Sequence, residues 1–295
     1  MISKETLRQI ELLKVSTRRI VDNLFAGDYL SIYRGRGTEF LEIREYSPGD
    51  DDIREIDWNV TARAGQTYVK KFREEKDLVV MLLLDLSGSM DYGSIDSTKR
   101  EKLLELAAMI SLSVVKRNNR LGMICFTDRV EAFVRPAGGR KQFYRLMDSL
   151  SNIKTTGKGT DIEKALTFLN RMAGKGAVVF LISDFMAEAY SKALRVSGRR
   201  FDLIPVTVED HAEMGFPEVG LVELDDSESG ETVVIDSSDP AFKRQYAAMS
   251  RARRKELDRL FRSAGLDSVN VTTDRPALPP VRELFFRRSR MRSRQ

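Results

Sequence analysis

Asp85, Ser87 and Ser89 form an Asp-x-Ser-x-Ser turn directly after the apolar run Val79 to Leu84. The turn gathers one carboxylate and two hydroxyls within a few residues, and hard divalent cations take such oxygen donors into their shells. With a single charge among them, the set suits a small octahedral ion that keeps some waters, Mg²⁺ or Mn²⁺ rather than Ca²⁺. Ser, Gly and Asp after a strand are also ordinary turn chemistry, so these residues alone leave both readings open. Covalent and acid–base catalysis have little to work with. The only histidine, His211, sits in the polar stretch Glu209 to Glu213, and the only cysteine, Cys125, lies inside the apolar run Leu121 to Phe126. No Gly-x-Ser-x-Gly elbow occurs, and Asn152 stands where a phosphate loop ending in Gly157-Lys158 needs its leading glycine. A lone ion with no base at hand is poorly equipped for hydrolysis. The expectation is a binding protein, not an enzyme.

The elements that must position this turn are legible from periodicity. Val79 to Leu84 is apolar without alternation, as in a parallel strand buried on both faces, and open α/β sheets bind ligands beyond the carboxyl ends of such strands. Thr98 to Glu101 is a capping box, and Leu103, Leu106, Ala107, Ile110 and Val114 continue it as the stripe of a helix. Leu121 to Phe126 and Val130 to Val134, joined by Thr127-Asp128-Arg129, predict an antiparallel edge hairpin. Phe143, Leu146, Met147 and Leu150 mark a further helix; the loop Thr155 to Thr160 precedes another, with Ile162, Ala165, Leu166, Leu169 and Met172. Thr160 with Glu163 has the form of a second capping box.

Ala177 to Ile182 is a second doubly buried strand, ending at Ser183-Asp184-Phe185. Lys192 to Arg199 predicts a short helix and Phe201 to Val208 a strand. Asp239-Pro240 opens a helix that runs to about Ser263, Gly265 terminates it, and Ser268 to Thr273 is the last strand. Between them Gly220 to Asp236 alternates apolar and acidic residues around Ser227 to Gly230, an inserted hairpin. It is expected to pair with strands near 39–46 and 67–72 as a small accessory sheet.

Ahead of the sheet, Leu7, Ile10, Leu13, Ile20 and Leu24 recur among charges at helical spacing. Glu39 to Tyr46 alternates as a half-exposed strand, Ser47-Pro48-Gly49-Asp50 is a turn, and Thr67 to Phe72 is a strand. Gly-x-Glu-Phe at 37–40, Arg-Glu-Tyr at 44–46, Pro-Gly-Asp-Asp at 48–51, Arg54, Ile-Asp-Trp at 56–58 and Ala62-Arg63 follow in order. Through them the segment resembles the bacterial family called domain of unknown function fifty-eight, which carries a von Willebrand factor type A domain next.

The later chain resembles that domain, whose metal-ion-dependent adhesion site uses Asp-x-Ser-x-Ser, a Thr in a later loop and an Asp after a further strand. The resemblance implies metal ligands at Asp85, Ser87, Ser89, Thr160 and Asp184. It also implies a Rossmann-like α/β open sheet, mostly parallel with one antiparallel edge strand, plus a small accessory β region. Phe185 is bulkier than the glycine common after that Asp, which bears on how open the site is. Glu39, Arg44, Tyr46, Gly49, Asp50, Arg54, Asp57 and Trp58 belong to the signature without an assigned role. Of these, Arg54, Asp57 and Trp58 are expected to form a buried structural cluster, with a partner-facing role as the alternative.

The chain has 295 residues with 42% hydrophobic, 32% charged and a net charge of +5, enough for a sizeable core in a soluble protein. Its expected parts are residues 1–76, a domain over 77–275 with a hairpin insertion at about 219–237, and a basic tail over 276–295. The tail carries Arg282, Arg287, Arg288, Arg290, Arg292 and Arg294 and reads as solvated, or more sharply as a patch for an acidic partner or nucleic acid. A single cysteine excludes a disulfide framework, the longest apolar run, Leu78 to Leu84, is far short of a ~20-residue transmembrane helix, and no signal sequence opens the chain. A cytoplasmic location is expected. Members of the signature family are commonly encoded beside MoxR-type AAA+ ATPases. The resemblance therefore implies a metal-dependent protein-binding adaptor whose partner, the ATPase or its client, offers an acidic side chain. A structural module without metal-dependent binding is the first alternative. A basic nucleic-acid binder, through Arg251 to Lys255 and the tail, is the other, and neither a stacking motif nor a helix-turn-helix pattern supports it.

Overall fold

The computed structural model describes residues 39–47, 53, 56–73, 78–94, 97–225 and 232–292. The amphipathic pattern of residues 1–25, the signature positions Gly49, Asp50 and Arg54, and the hairpin turn Ser227 to Gly230 lie outside the described residues. Those described between Leu30 and Leu78 form one compact unit, and those from Val79 onward form the other.

In the smaller unit β1 (Glu39–Glu45) pairs antiparallel with β2 (Tyr68–Arg73), with a register shift between Phe40 and Glu42. Between them lies α1 (Trp58–Ala64), capped by Asp57, whose carboxylate accepts from the N–H groups of Asn59 and Val60. Gly65, at φ +73°, ends it in the left-handed conformation that favours glycine. Asp57 N–H donates to the Tyr68 carbonyl at 2.8 Å, and Tyr68 N–H donates to the Thr61 hydroxyl at 3.0 Å, so the short helix is stitched to β2. Trp58 is 66% exposed, against the buried cluster its type predicts. The reason is local: α1 buries none of its residues, and Asp57 is engaged in capping.

The larger unit is built on a six-stranded sheet in the order β10-β7-β6-β3-β4-β5. Its strands and helices, in chain order, are β3 (Val79–Asp85), α2 (Lys99–Lys116), β4 (Arg120–Phe126), β5 (Val130–Ala137), α3 (Arg140–Asn152), α4 (Ile162–Met172), β6 (Val178–Ser183), α5 (Ser191–Arg200), β7 (Asp202–Glu209), α6 (His211–Met214), β8 (Leu221–Asp225), β9 (Thr232–Asp236), α7 (Pro240–Ser263), β10 (Val269–Thr272) and α8 (Leu278–Arg292). All pairs in the sheet are parallel except β4 with the edge strand β5. The chain leaves β3 for β4 on one side and returns to β6 on the other, so strand order reverses at the carboxyl end of β3. Val80 to Leu84 are buried on both faces of the sheet, as their unbroken apolar run requires. Met81 and Leu83 share a cluster with Leu166 of α4, Leu194 of α5 and Phe261 of α7.

Several predicted ends are found. Thr98 and Glu101 make the capping box of α2, Asp239 caps α7 with Pro240 in its first turn, and Gly265 at φ +69° follows its end. The helix after the Thr155 to Thr160 loop is capped one residue later than the Thr160–Glu163 spacing suggests. Asp161 is the cap, its carboxylate accepting from Lys164 N–H at 2.8 Å. A carboxylate competes well for that position because it also carries the charge a helix N-terminus favours.

Among the described residues β8 pairs with β9 and β1 with β2, each as a two-stranded sheet within its own unit. The C-terminus corrects an expectation. The arginine-rich C-terminus is not a solvated tail, because α8 buries Val281, Leu284 and Phe285. Its Arg288 bonds Asp202 at 3.0 Å and Asp267 at 2.7 Å. The apolar residues Val281, Leu284 and Phe285 sit at helical spacing inside the basic run, and the arginine count obscures them. Among the described residues no helix is long and apolar enough to cross a membrane.

Phe285 packs with its ring centroid 6.3 Å from that of Phe180 on β6. Phe285→Ala is expected to destabilise the protein by about 3–5 kcal/mol, the range for emptying a buried aromatic site. Urea denaturation checks it, since a solvated tail would give no shift in midpoint.

Candidate functional site

The predicted turn sits where strand order reverses. Asp85 closes β3 fully buried; one carboxylate oxygen accepts from Ser87 N–H at 3.0 Å and the other from the Ser183 hydroxyl at 2.6 Å. Ser183 is the last residue of β6, so this bond ties the ends of two adjacent parallel strands. The hydroxyl oxygens of Ser87 and Ser89 lie 3.2 Å apart, and the turn tightens into a single 3₁₀ turn, Gly88–Asp91, anchored by buried Met90.

The loop carrying Thr160 is drawn to the same place. Gly88 N–H donates to the Lys158 carbonyl at 3.0 Å, and Asp161 N–H donates to the Thr127 carbonyl at 2.9 Å. Glu131 on β5 organises this loop: its carboxylate accepts from Thr127 hydroxyl at 2.7 Å, Thr156 N–H at 3.0 Å and Gly157 N–H at 2.7 Å. Gly157 leaves room for these side chains: an added Cβ would lie 2.0 Å from an Asp128 carboxylate oxygen and 2.2 Å from the Thr127 hydroxyl, and both would have to shift. Sequence reasoning misses Glu131 because it reads as one more polar residue of an edge strand.

Asp184 follows β6, 1% exposed, accepting from Met186 N–H at 3.0 Å and from the Lys99 ammonium at 2.7 Å. Lys99, in the first turn of α2, is equally buried and also bonds Glu213 of α6 at 2.6 Å. Its type and place in a capping box mark it for solvent, so nothing in the sequence singles it out. Phe185 has φ +56°, a conformation costly for a bulky residue. Its ring packs at 5.1 Å from Phe261 and 5.9 Å from Tyr190, in the core beneath α7.

Electrostatics reflect the crowding. Burial, and then the charge of Asp184, push the Asp85 carboxyl up to about 7, against the hydrogen bonds from Ser183 and Ser87. For Lys99 burial opposes the charge, but Asp184 and Glu213 outweigh it and hold the ammonium above its usual range. The Cys125 thiol, fully buried, is pushed up to about 12 by burial, which leaves no thiolate for nucleophilic work. His211 is exposed at the start of the single-turn helix α6.

A dication fits this donor set. Asp184 and Glu213 share the Lys99 ammonium, Asp85 is bonded by Ser87 and Ser183, and the buried hydroxyl of Ser87 with Ser89 beside it adds neutral oxygens. Among the described residues no three His, Cys, Asp or Glu side chains converge as a metal cage, so a cation would take much of its shell from hydroxyls and water.

A mostly parallel open sheet, one antiparallel edge strand and an Asp-x-Ser-x-Ser turn at the switch point define a von Willebrand factor A-like domain. The chain belongs to the family of proteins of unknown function DUF58, whose profile matches residues 42–256. It is similar to the uncharacterized protein Rv1480 of Mycobacterium tuberculosis, 29% identical over 275 residues, which cover 92% of this chain and 86% of that one. Among solved structures it is similar to BatB of Bacteroides thetaiotaomicron, with 17% identity and a TM-score of 0.49 over 72% of this chain and 99% of that one. The SpRpn10 VWA domain matches at 11% identity and a TM-score of 0.37, over 71% and 94%.

The raised Asp85 carboxyl makes stability fall as pH rises. A carboxyl whose folded value lies above its unfolded 3.8 supports the fold fully below that value, and the support is lost as pH rises through about 7. Cation-free Asp85→Asn is therefore expected to melt higher than wild type at pH 8, with the gap closing towards pH 4. Thermal melts in chelator across that range check it.

Proposed function

We propose that this chain is a cation-dependent protein–protein interaction module, a cytoplasmic adaptor working with a MoxR-type AAA+ ATPase on client proteins, and not an enzyme. The observation that carries the reading is the meeting of three loops at the switch point, through Ser183 with Asp85 and Gly88 with Lys158, around two buried carboxylates. Asp85, Ser87, Ser89, Thr160 and Asp184 are the residues that would hold Mg²⁺ or Mn²⁺. A bound ion would supply a hard positive charge with room for an acidic side chain of the partner. The turn orients the serine hydroxyls, and Glu131 holds the Thr160 loop. The ATPase partnership rests on the resemblance of the 37–63 signature.

Lys99 favours a second reading. An ammonium already bonded to Asp184 supplies positive charge from within, so the cluster could be structural alone.

The two readings separate on metal. Under the proposed function Mg²⁺ raises the melting temperature of wild type, by the equivalent of about 2.7 kcal/mol at a hundredfold excess over the dissociation constant, and Asp85→Ala abolishes the gain. In a native lysate an ATPase is retained with Mg²⁺ and released by chelator. Lys99→Met leaves Asp184 and Glu213 uncompensated, which is expected to destabilise the cation-free protein by about 3–5 kcal/mol, and Mg²⁺ recovers part of that loss. Melts indifferent to millimolar Mg²⁺, with a partner retained in chelator, favour the structural reading.

A further inference from the structure

From Phe201 to Phe242 the chain has no Lys or Arg against 12 Asp and Glu, although the whole protein carries +5. The hairpin β8–β9 lies inside this acidic stretch. Its base is fixed: Ser237 N–H and hydroxyl both donate to the Gly220 carbonyl, at 2.9 and 2.7 Å, and Val219 N–H donates to the Ser237 hydroxyl at 2.9 Å. Beyond the base, among the described residues, no third strand pairs with either outer edge. A lone two-stranded hairpin is marginal in water, and an open edge invites another strand.

The face it exposes is a checkerboard. Leu221, 77% exposed, is paired with exposed Asp236, and exposed Glu223 is paired with Val234, 65% exposed. Two β8 edges laid antiparallel about Glu223 would set acid against acid, which works against that self-pairing. What it complements is an extended chain whose aliphatic stems cover Leu221 and Val234 while its positive ends meet Glu223 and Asp236. We propose that the β8–β9 hairpin is a second docking surface, independent of the cation site, that takes an extended segment of a partner protein with alternating apolar and basic residues as an added strand. Backbone pairing along the edge supplies the affinity, and the alternating side chains supply the choice of partner.

The probe is a fluorescent, end-blocked decapeptide alternating Val and Lys, titrated with the full chain in chelator and followed by anisotropy. Saturable binding is expected, with none for the Val–Glu counterpart. N-methylation of alternate amides keeps the charge but removes edge hydrogen bonds, and is expected to abolish binding. Glu223→Lys, an exposed change that leaves the melting temperature in place, is expected to weaken binding by about fivefold to tenfold, the effect of turning one favourable cross-strand pair into a like-charge pair. The proposal is overturned if the Val–Lys peptide shows no saturable binding up to millimolar concentration. Equal binding by the N-methylated peptide overturns it too, as mere charge attraction, and so does equal binding by the Glu223→Lys protein.

Discussion

Two carboxylates, Asp85 and Asp184, leave adjacent parallel strands at the one point where strand order reverses, and both are closed off from water. A buried charge is tolerated only with charge and hydrogen bonds around it. That requirement shapes the local backbone. The turn after β3 curls so that Ser87 N–H reaches Asp85, β6 ends on a serine whose hydroxyl does the same, and the chain after Asp184 bends so that Met186 N–H reaches back. The left-handed conformation at Phe185 belongs to this bend, and the aromatic core under α7 is what holds so bulky a residue there.

The same requirement reaches outward through long side chains. Lys99 brings the start of α2 to Asp184 and to Glu213, and Glu213 in turn caps its own short helix by accepting from Asp210 N–H. Arg253 of α7 donates to the Asp184 carbonyl at 2.7 Å, and its neighbour Arg254 pairs with Glu209. These contacts draw on the basic cluster Arg251 to Lys255, and Arg288 is spent similarly on Asp202 and Asp267. The positive charge that looks available for a phosphate backbone is thus partly committed within the molecule, which weakens the nucleic-acid reading.

Legibility in the sequence follows the range of each interaction. The doubly buried β3 and β6, the capping box at Thr98 and the Asp239-Pro240 start are set by neighbours within a few residues, and all are found where their patterns lie. The cap at Asp161 instead of Thr160 is a competition between adjacent polar residues, which spacing alone does not resolve. Trp58 and α8 mislead for the opposite reason, because a residue type or a charge run says nothing of the surface that receives it. Lys99 and Glu131 are illegible altogether. Their partners lie far along the chain, at Asp184 and at Thr156–Gly157, and no local period encodes such pairs.

The charge at the switch point is also unevenly answered. Lys99 serves Asp184 and Glu213, whereas the groups bonded to Asp85 are Ser87 and Ser183, both neutral. Burial therefore acts on Asp85 with no bonded positive side chain to counter it, and its carboxyl is pushed up to about 7. Close to it are the hydroxyls of Ser87 and Ser89 and the loop that ends at Thr160. On one side of the cluster a lysine already stands against the carboxylates, while on the other oxygen atoms gather around a carboxylate that lacks a counter-charge. On the proposed reading, a small dication would offset the uncompensated charge on that second side, where the oxygen donors suit it.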